Sequence, residues 1–329
     1  FEKVIVNMTF LGGGFGRKAL TDYPHEALVI SKEIGLPVQV VWTREDDATQ
    51  GPFRPGISYR CRGVIDENKN ISAIKFQMAG QNNDHFRSGD NGKANRSTSE
   101  GWLKPYFESI KNISFADVTF KTPIPTLFWR SVYASTNGFA YESFVNELAH
   151  KSGKDPLEFR RAYLKEERSQ KLLDKVAEVS GWKNKSKGYG IAVTECFGTT
   201  VAQVVKVSKP KGGKLKIDQV WAVVDCGWYV NPDIIHAQVE GAIVMGLGAA
   251  TIHEITFKDG LVEQHNFYDY KMPRITDIPP IEVHIMENDA DAGGIGEPGL
   301  PPFAPALTAA IFDLTGKRIR KLPFDMASI

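Results

Sequence analysis

The stretch Asp291–Phe303, "DAGGIGEPGLPPF", decides between two folds. Gly294, Gly296 and Gly299 spell G-x-G-x-x-G, the pattern of a dinucleotide-binding turn. That turn works only where a strand runs straight into a helix, so that helix amides meet a pyrophosphate. Here the polar "ENDADA" (287–292) separates the strand-like "IEVHIM" from the glycines. Pro298, Pro301 and Pro302 then delay the helix-like "APALTAAIFDLTG". We therefore set the nucleotide fold aside. The remaining reading is a backbone path fixed by glycine and proline around one carboxylate, Glu297. A general base must sit within about 3 Å of its proton donor and be partly shielded from water. Glycines let a ligand come close, and prolines keep the loop in place. A turn with an exposed glutamate would use the same residues, and the stretch alone does not choose.

Outward from this loop the pattern is mixed α and β. "FEKVIVNMTF" (1–10) reads as a strand and leads into "LGGGFGRK" (11–18). "TDYPHEALVISKEIG" reads as a helix capped at Thr21 or Asp22 and stopped by Gly35 and Pro37. "LPVQVVWT" is β-rich, and "SYRCRGVIDENKNISAIKFQMAG" reads as two strands around Glu67–Asn70. Residues 81–101 are polar and read as a long loop. Helices follow at "FAYESFVNELAHKSG", "PLEFRRAYLKEE" and "QKLLDKVAEVSGW". The polar run Lys183–Gly190 is the expected boundary between a first domain, 1–182, and a second, 183–329. In the second, "GIAVTECFGTTVAQVVKVS" and "KLKIDQVWAVVDCG" look like a hairpin through "KPKGG". "NPDIIHAQVEGAIVMGLG" is a helix with Asn231 as cap and Pro232 at its first position.

The 329 residues suit about two domains. A net charge of +1 gives no electrostatic footprint for nucleic acid or an anionic membrane. No apolar run reads as the ~20 residues of a membrane span. Cys61, Cys196 and Cys226 form no C-x-x-C pair, which argues against iron–sulfur ligation by this chain. The chain opens on Phe1 and a strand-like run, and we expect a fragment or processed piece.

Three further features invite chemistry. "GGGFG" can present successive backbone N–H groups as a nest for a polar or anionic ligand, with Phe15 beside it; a tight turn explains it equally well. Gln238 lies in an apolar helical stretch and needs a partner if buried, which a ligand amide or nearby backbone could supply. Arg130, in "PTLFWRSVYAST", could face an anion or pair with a carboxylate. His25-Glu26 and His253-Glu254 do not complete H-E-x-x-H, and there is no G-x-S-x-G.

Taken in order, these pieces resemble the molybdenum-cofactor subunit of the xanthine oxidase/aldehyde oxidoreductase family. The residues that carry the resemblance are "GGGFGRK" (12–18), "LFWRSV…ESFVNELAHKSGKDPLEFR" (127–160), "VVDCGWYVNPDIIHAQVEGAIVMGLG" (223–248), "YKMPRITDIPPIEVHI" (270–285) and "GGIGEPGLPPFAPALTAAIFDLTGKRIRKLP" (293–323). "LGGGFGRK", "VVWTREDD", "FRPG" and "TGKRIRKLP" look most like the isoquinoline 1-oxidoreductase branch. The family's second cofactor loop, G-G-x-E-x-G-Q-G, is missing, and in that branch it lies nearer the N-terminus. The resemblance implies an α+β fold of two mixed cofactor-binding domains, of which this chain is the C-terminal part. It implies that Glu297 is the general base of a water-derived hydroxylation of an aldehyde or N-heteroaromatic substrate. It places Gly13, Gly14, Phe15, Gly16, Arg130, Gln238, Gly294 and Gly296 around a molybdenum–molybdopterin cofactor, in bacteria usually the cytosine dinucleotide form. The pterin dithiolene would hold the metal without a protein ligand. The implied partners are an iron–sulfur small subunit and the N-terminal remainder of the same subunit; the chain itself carries no signal for a compartment, the resemblance suggests the bacterial periplasm, and the cytoplasm is the alternative. A scaffold fragment or degenerate paralogue without molybdenum is the alternative expectation.

Overall fold

The computed structural model describes residues 5–81, 96–120 and 122–329. Helix α1 (Asp22–Ile34) ends on Gly35 in the left-handed conformation, and α2 (Arg44–Gln50) starts with a reciprocal Thr43–Asp46 capping box. Strands β1 (Ile57–Ile65) and β2 (Ile71–Gly80) form the antiparallel pair read around Glu67–Asn70. After α3 (Lys104–Ser109), β3 (Ile113–Thr119) joins β2 in parallel to complete a three-stranded sheet. Helices α4 (Ala134–Ser152), α5 (Pro156–Arg161) and α6 (Glu167–Val179) follow.

The second sheet has the order β4 (Tyr189–Cys196), β5 (Thr199–Ser208), β6 (Lys216–Asp225) and, after α7 (Pro232–Thr251) and the small hairpin β7 (Phe257–Lys258) and β8 (Leu261–Val262), β9 (Ile281–Ile285). β4–β5–β6 are antiparallel and β9 lies parallel to β6. Helix α8 (Phe303–Thr315) packs on β4 and β5. These strands are apolar without alternation because both their faces are covered. Ile191, Val193, Val204 and Val223 enter one core with α4 and α6, while Ala192, Val201, Val205 and Val224 enter another with α7 and α8. The first core continues to Ile74 and Phe76 of the other sheet. Tyr141, Val145, Leu148 and Ala149 fall on one stripe of α4, so a single helix serves both sheets.

Several sequence expectations change. Residues 5–10 and 36–43 form no strand, because no chain segment among the described residues offers them a ladder. "GIAVTECFGTTVAQVVKVS" is two strands rather than one; Phe197 and Gly198, both at positive φ, make a two-residue hairpin turn between them. "PLEFRRAYLKEE" yields only the six-residue α5 before the chain breaks and restarts as α6. The proposed loop 81–101 lies largely outside the described residues; its end, Arg96–Ser99, is a short 3-10 turn. Helix α7 does begin as read, with the Asn231 Oδ1 accepting the Asp233 and Ile234 N–H groups. Contrary to the hydropathy reading, α7 is long and apolar enough to cross a membrane by length and composition alone. Val239, Ile243 and Leu247 instead pack it into the second core.

Candidate active site

Arg130 is the point where the separated motifs meet. It is buried, and among the described residues its guanidinium makes no hydrogen bond to a carboxylate. Nε and Nη2 donate to the Gly296 carbonyl at 2.8 and 2.5 Å. Nη2 also donates to the Gln238 backbone carbonyl at 3.0 Å and to its Oε1 at 2.9 Å. Nη1 reaches the Met245 Sδ at 3.6 Å. Gln238, Gly241 and Met245 recur at helical spacing, so one face of α7 receives the fork. Arg130 also lies 5.8 Å from the centre of the Phe15 ring, within cation–π range. Burial lowers the Arg130 pKa, and the nearby Glu297 opposes that.

Glu297 sits one residue beyond this anchor. Its Oε1 accepts the Ser131 N–H at 2.8 Å, and its backbone carbonyl accepts the Ser131 Oγ–H at 2.7 Å. Ser131 and Val132 hold φ of 71° and 44°, a left-handed pair without glycine. Such backbone persists only where its surroundings over-determine it, and it gathers at functional sites. The rest of the loop is fastened as well. Gly293 N–H donates to the Cys226 carbonyl at 2.8 Å, and Gly294 N–H to that of Phe197 at 2.7 Å. Residues Pro298–Pro302 are buried, with Pro301 against Gly138 of α4 and Gly299 against Val239 and Ala242 of α7. This wedge is what the proline-rich sequence secures: the carboxylate is held on a rigid path and stays half-buried.

The glycine turn lies against the same locus. Gly16 has φ of 99°, and a Cβ there would stand 2.1 Å from the Phe128 carbonyl oxygen. Only glycine lets the turn dock on the segment leading to Arg130. Among the described residues the Gly13, Gly14 and Phe15 amides donate no hydrogen bond. A Cβ at Gly12 or Gly296 would meet nothing within 4 Å. The N-terminal turn therefore presents unused amides, whereas the Gly293–Gly296 backbone is tied to Cys226, Phe197 and Arg130 and is open only beside the Gly296 Cα. The Gln238 side chain is exposed, and its Oε1 accepts a hydrogen bond from Arg130.

Sequence reasoning passed over a second arginine. Arg54 lies over the Trp129 ring at 4.3 Å, donates to the Ser135 Oγ at 2.9 Å, and leaves Nε buried without a partner among the described residues. Burial pushes its pKa down to about 10. It faces a cavity of about 630 Å³ shared with His253, Tyr270 and Phe257. His253 stacks on Tyr270 at 5.3 Å, its Nε2 is also unpartnered among the described residues, and burial lowers its pKa. Ser135 lies one helical turn beyond Ser131, so this cavity adjoins the Glu297 anchor. The only sequence signal was an arginine between aromatic and proline residues at "FRPG".

The molybdopterin cofactor-binding domain family matches this chain twice, over residues 1–164 and 131–279. The fold and these matches define a molybdopterin-binding protein. The beta subunit of isoquinoline 1-oxidoreductase from Brevundimonas diminuta is 31% identical over 99% of this chain and 43% of its own length. A membrane-bound aldehyde dehydrogenase (pyrroloquinoline-quinone) from Gluconacetobacter polyoxogenes is 28% identical over 100% of the chain and 47% of its own length. The solved aldehyde oxidoreductase from Desulfovibrio gigas superposes with a TM-score of 0.78 over 95% of this chain and 53% of that one, at 15% identity. The chain belongs to the molybdopterin-binding subunits of the xanthine oxidase family. It spans less than half the length of these two relatives.

Proposed function

We propose that this chain is the C-terminal part of a molybdenum hydroxylase large subunit that oxidises an aldehyde or N-heteroaromatic carbon with oxygen from water. The observation that carries the reading is the convergence on Arg130 of the Phe15 turn, the Gln238 face of α7 and the Gly296–Glu297 loop. When bound, the molybdenum–pterin group accepts the two electrons that the carbon loses. The Gly13–Phe15 amides and the Gln238 carboxamide would hold the pterin, whose bacterial form would be the cytosine dinucleotide. Glu297 takes the proton of the attacking oxygen, and the Ser131 N–H keeps its carboxylate aimed. Arg130 keeps a positive charge beside that carboxylate without neutralising it by direct pairing. Arg54 faces the cavity with an unmet donor, suited to a ring nitrogen or carbonyl of the substrate. Electrons would leave through an iron–sulfur partner subunit, and the assembled enzyme would work in the bacterial periplasm.

Two measurements on the purified subunit test this. Molybdenum near one atom per chain supports the hydroxylase, whereas its absence supports the scaffold reading. In a loaded enzyme, Glu297→Gln lowers kcat by about 10²–10⁴ with metal content unchanged. A mutant with wild-type turnover would remove Glu297 from the mechanism.

A further inference from the structure

Among the described residues, Arg54 is the one arginine of its cavity whose charge no acid answers. Arg17 pairs with Asp22 at 2.9 Å and Arg44 with Asp47 at 2.5 Å. Glu254, the remaining acid of the lining, is exposed to solvent. The titratable groups that face Arg54 are the Tyr59 and Tyr270 phenols and His253. Arg54 is only partly exposed, and its Nε is buried. A ring nitrogen or a carbonyl would satisfy that donor but leave the charge unanswered. A desolvated charge stays costly until an opposite charge sits beside it.

The walls suit a flat aromatic body. Trp129 lies beside the guanidinium, Phe53 and Phe257 meet edge to face at 5.4 Å, and His253 stacks on Tyr270. His253 Nε2 is a second polar atom without a partner among the described residues. In the tautomer that carries its proton there, it can donate to one oxygen of a carboxylate while Arg54 donates to the other. Ser131, which aims Glu297, and Ser135, which accepts from Arg54, are one turn apart. A turn rises about 5.4 Å, comparable with the reach across a substituted ring. We propose that the substrate is an aromatic anion: its carboxylate is held by Arg54 and His253, across the ring from the carbon oxidised beside Glu297. This deepens the proposed function and rests on its placing of the substrate in this cavity. A carboxylate made by the oxidation itself would form beside Glu297, a turn away from Arg54, and fits less well.

The test is a titration of the polypeptide, as it is made in the cell, with benzoate and with its neutral isostere benzamide, followed by saturation-transfer NMR. Benzoate should bind about 10–100-fold more tightly, the span that hydrogen bonds to a charged group cover. Arg54→Gln should bring benzoate down to the level of benzamide. Equal binding of the two ligands by the wild type overturns the proposal, and that comparison needs no variant to fold. A folded Arg54→Gln chain that still prefers benzoate overturns it as well. In the molybdenum-loaded enzyme, kcat/KM for 4-carboxybenzaldehyde should exceed that for benzaldehyde by about 10-fold or more. An equal or lower value overturns the substrate anchor and leaves benzoate a ligand of the product kind. The titration itself does not depend on molybdenum. A metal-free chain that prefers benzoate therefore keeps this site and loses the hydroxylase reading, and a loaded, active chain without the preference does the reverse.

Discussion

Glu297 and its neighbours show how much a single residue can and cannot announce. Glycine and proline marked the loop as rigid, and burial of Pro298–Pro302 is the physical form of that rigidity. Nothing in "WRSV" marked Ser131 as the group that aims the carboxylate, because its left-handed φ arises from tertiary contacts and not from a glycine. Arg130 carried a sequence signal, but its partners are carbonyls 108 and 166 residues away, which no local pattern encodes. A planar fork holds its donors in one fixed plane toward two acceptors, a geometry that a compact ammonium does not reproduce. Arg130→Lys should therefore destabilise the chain by about 1.5–3 kcal/mol, the range for hydrogen bonds to a charged group. The check is a lower urea midpoint at unchanged slope. Arg54 offers a different readout. Burial lowers its folded pKa to about 10, so stability should rise as pH increases from that value toward the unfolded arginine's. The gap between thermal melts of the wild type and of Arg54→Gln should narrow from about pH 9 to about pH 11.

The elements themselves were largely legible. The Gly35 stop placed the end of α1 although Thr21 makes no side-chain capping bond, the Asn231 cap placed the start of α7, and the polar turn placed β1 and β2. The failures have one cause: strands need partners, and periodicity reports composition rather than pairing. That is why 5–10 and 36–43 looked like strands, and why the β4–β5 turn at Phe197-Gly198 was hidden inside one apolar run. Packing between elements was invisible as well. A Cβ at Gly190 would stand 2.2 Å from both the Ala306 carbonyl oxygen and the Ala310 nitrogen, so β4 and α8 touch backbone to backbone. Gly190→Ala should cost about 3 kcal/mol by forcing them apart, visible as a lower melting temperature. At the other end of the sheet, Arg168 on α6 grips the Asp225 carboxylate of β6 at 2.6 and 2.9 Å. Burial alone would raise the Asp225 pKa, but Arg168 and Asn288 outweigh it and hold it below the usual carboxylate value. A depressed carboxylate stabilises the fold above its unfolded pKa and loses that contribution as pH falls through the folded one. Acid titration should therefore weaken wild type relative to Asp225→Asn below about pH 4, the ordinary carboxylate range.

At the scale of the whole molecule, α4 joins the two sheets through one continuous core, and its Glu142 ties three elements together. Glu142 Oε2 accepts from Arg160 of α5 at 2.7 and 2.9 Å and from the Val193 N–H of β4 at 2.7 Å, with both side chains fully buried. Removing one partner of such a pair leaves an uncompensated charge, so Arg160→Met should cost about 3–5 kcal/mol. Its denaturation should remain a single transition, monitored at both sheets by tryptophan fluorescence and circular dichroism. The resemblance of the ordered motifs pointed to the family; the residues alone gave candidate groups without a way to bring them together. The shared core has one more consequence. The lysine-rich connection at 183–187 is mostly exposed and is the natural place for trypsin to cut. One break there would yield two bands in a denaturing gel, yet the nicked pair should elute from a sizing column as a single particle, still clasped by the helix they have in common.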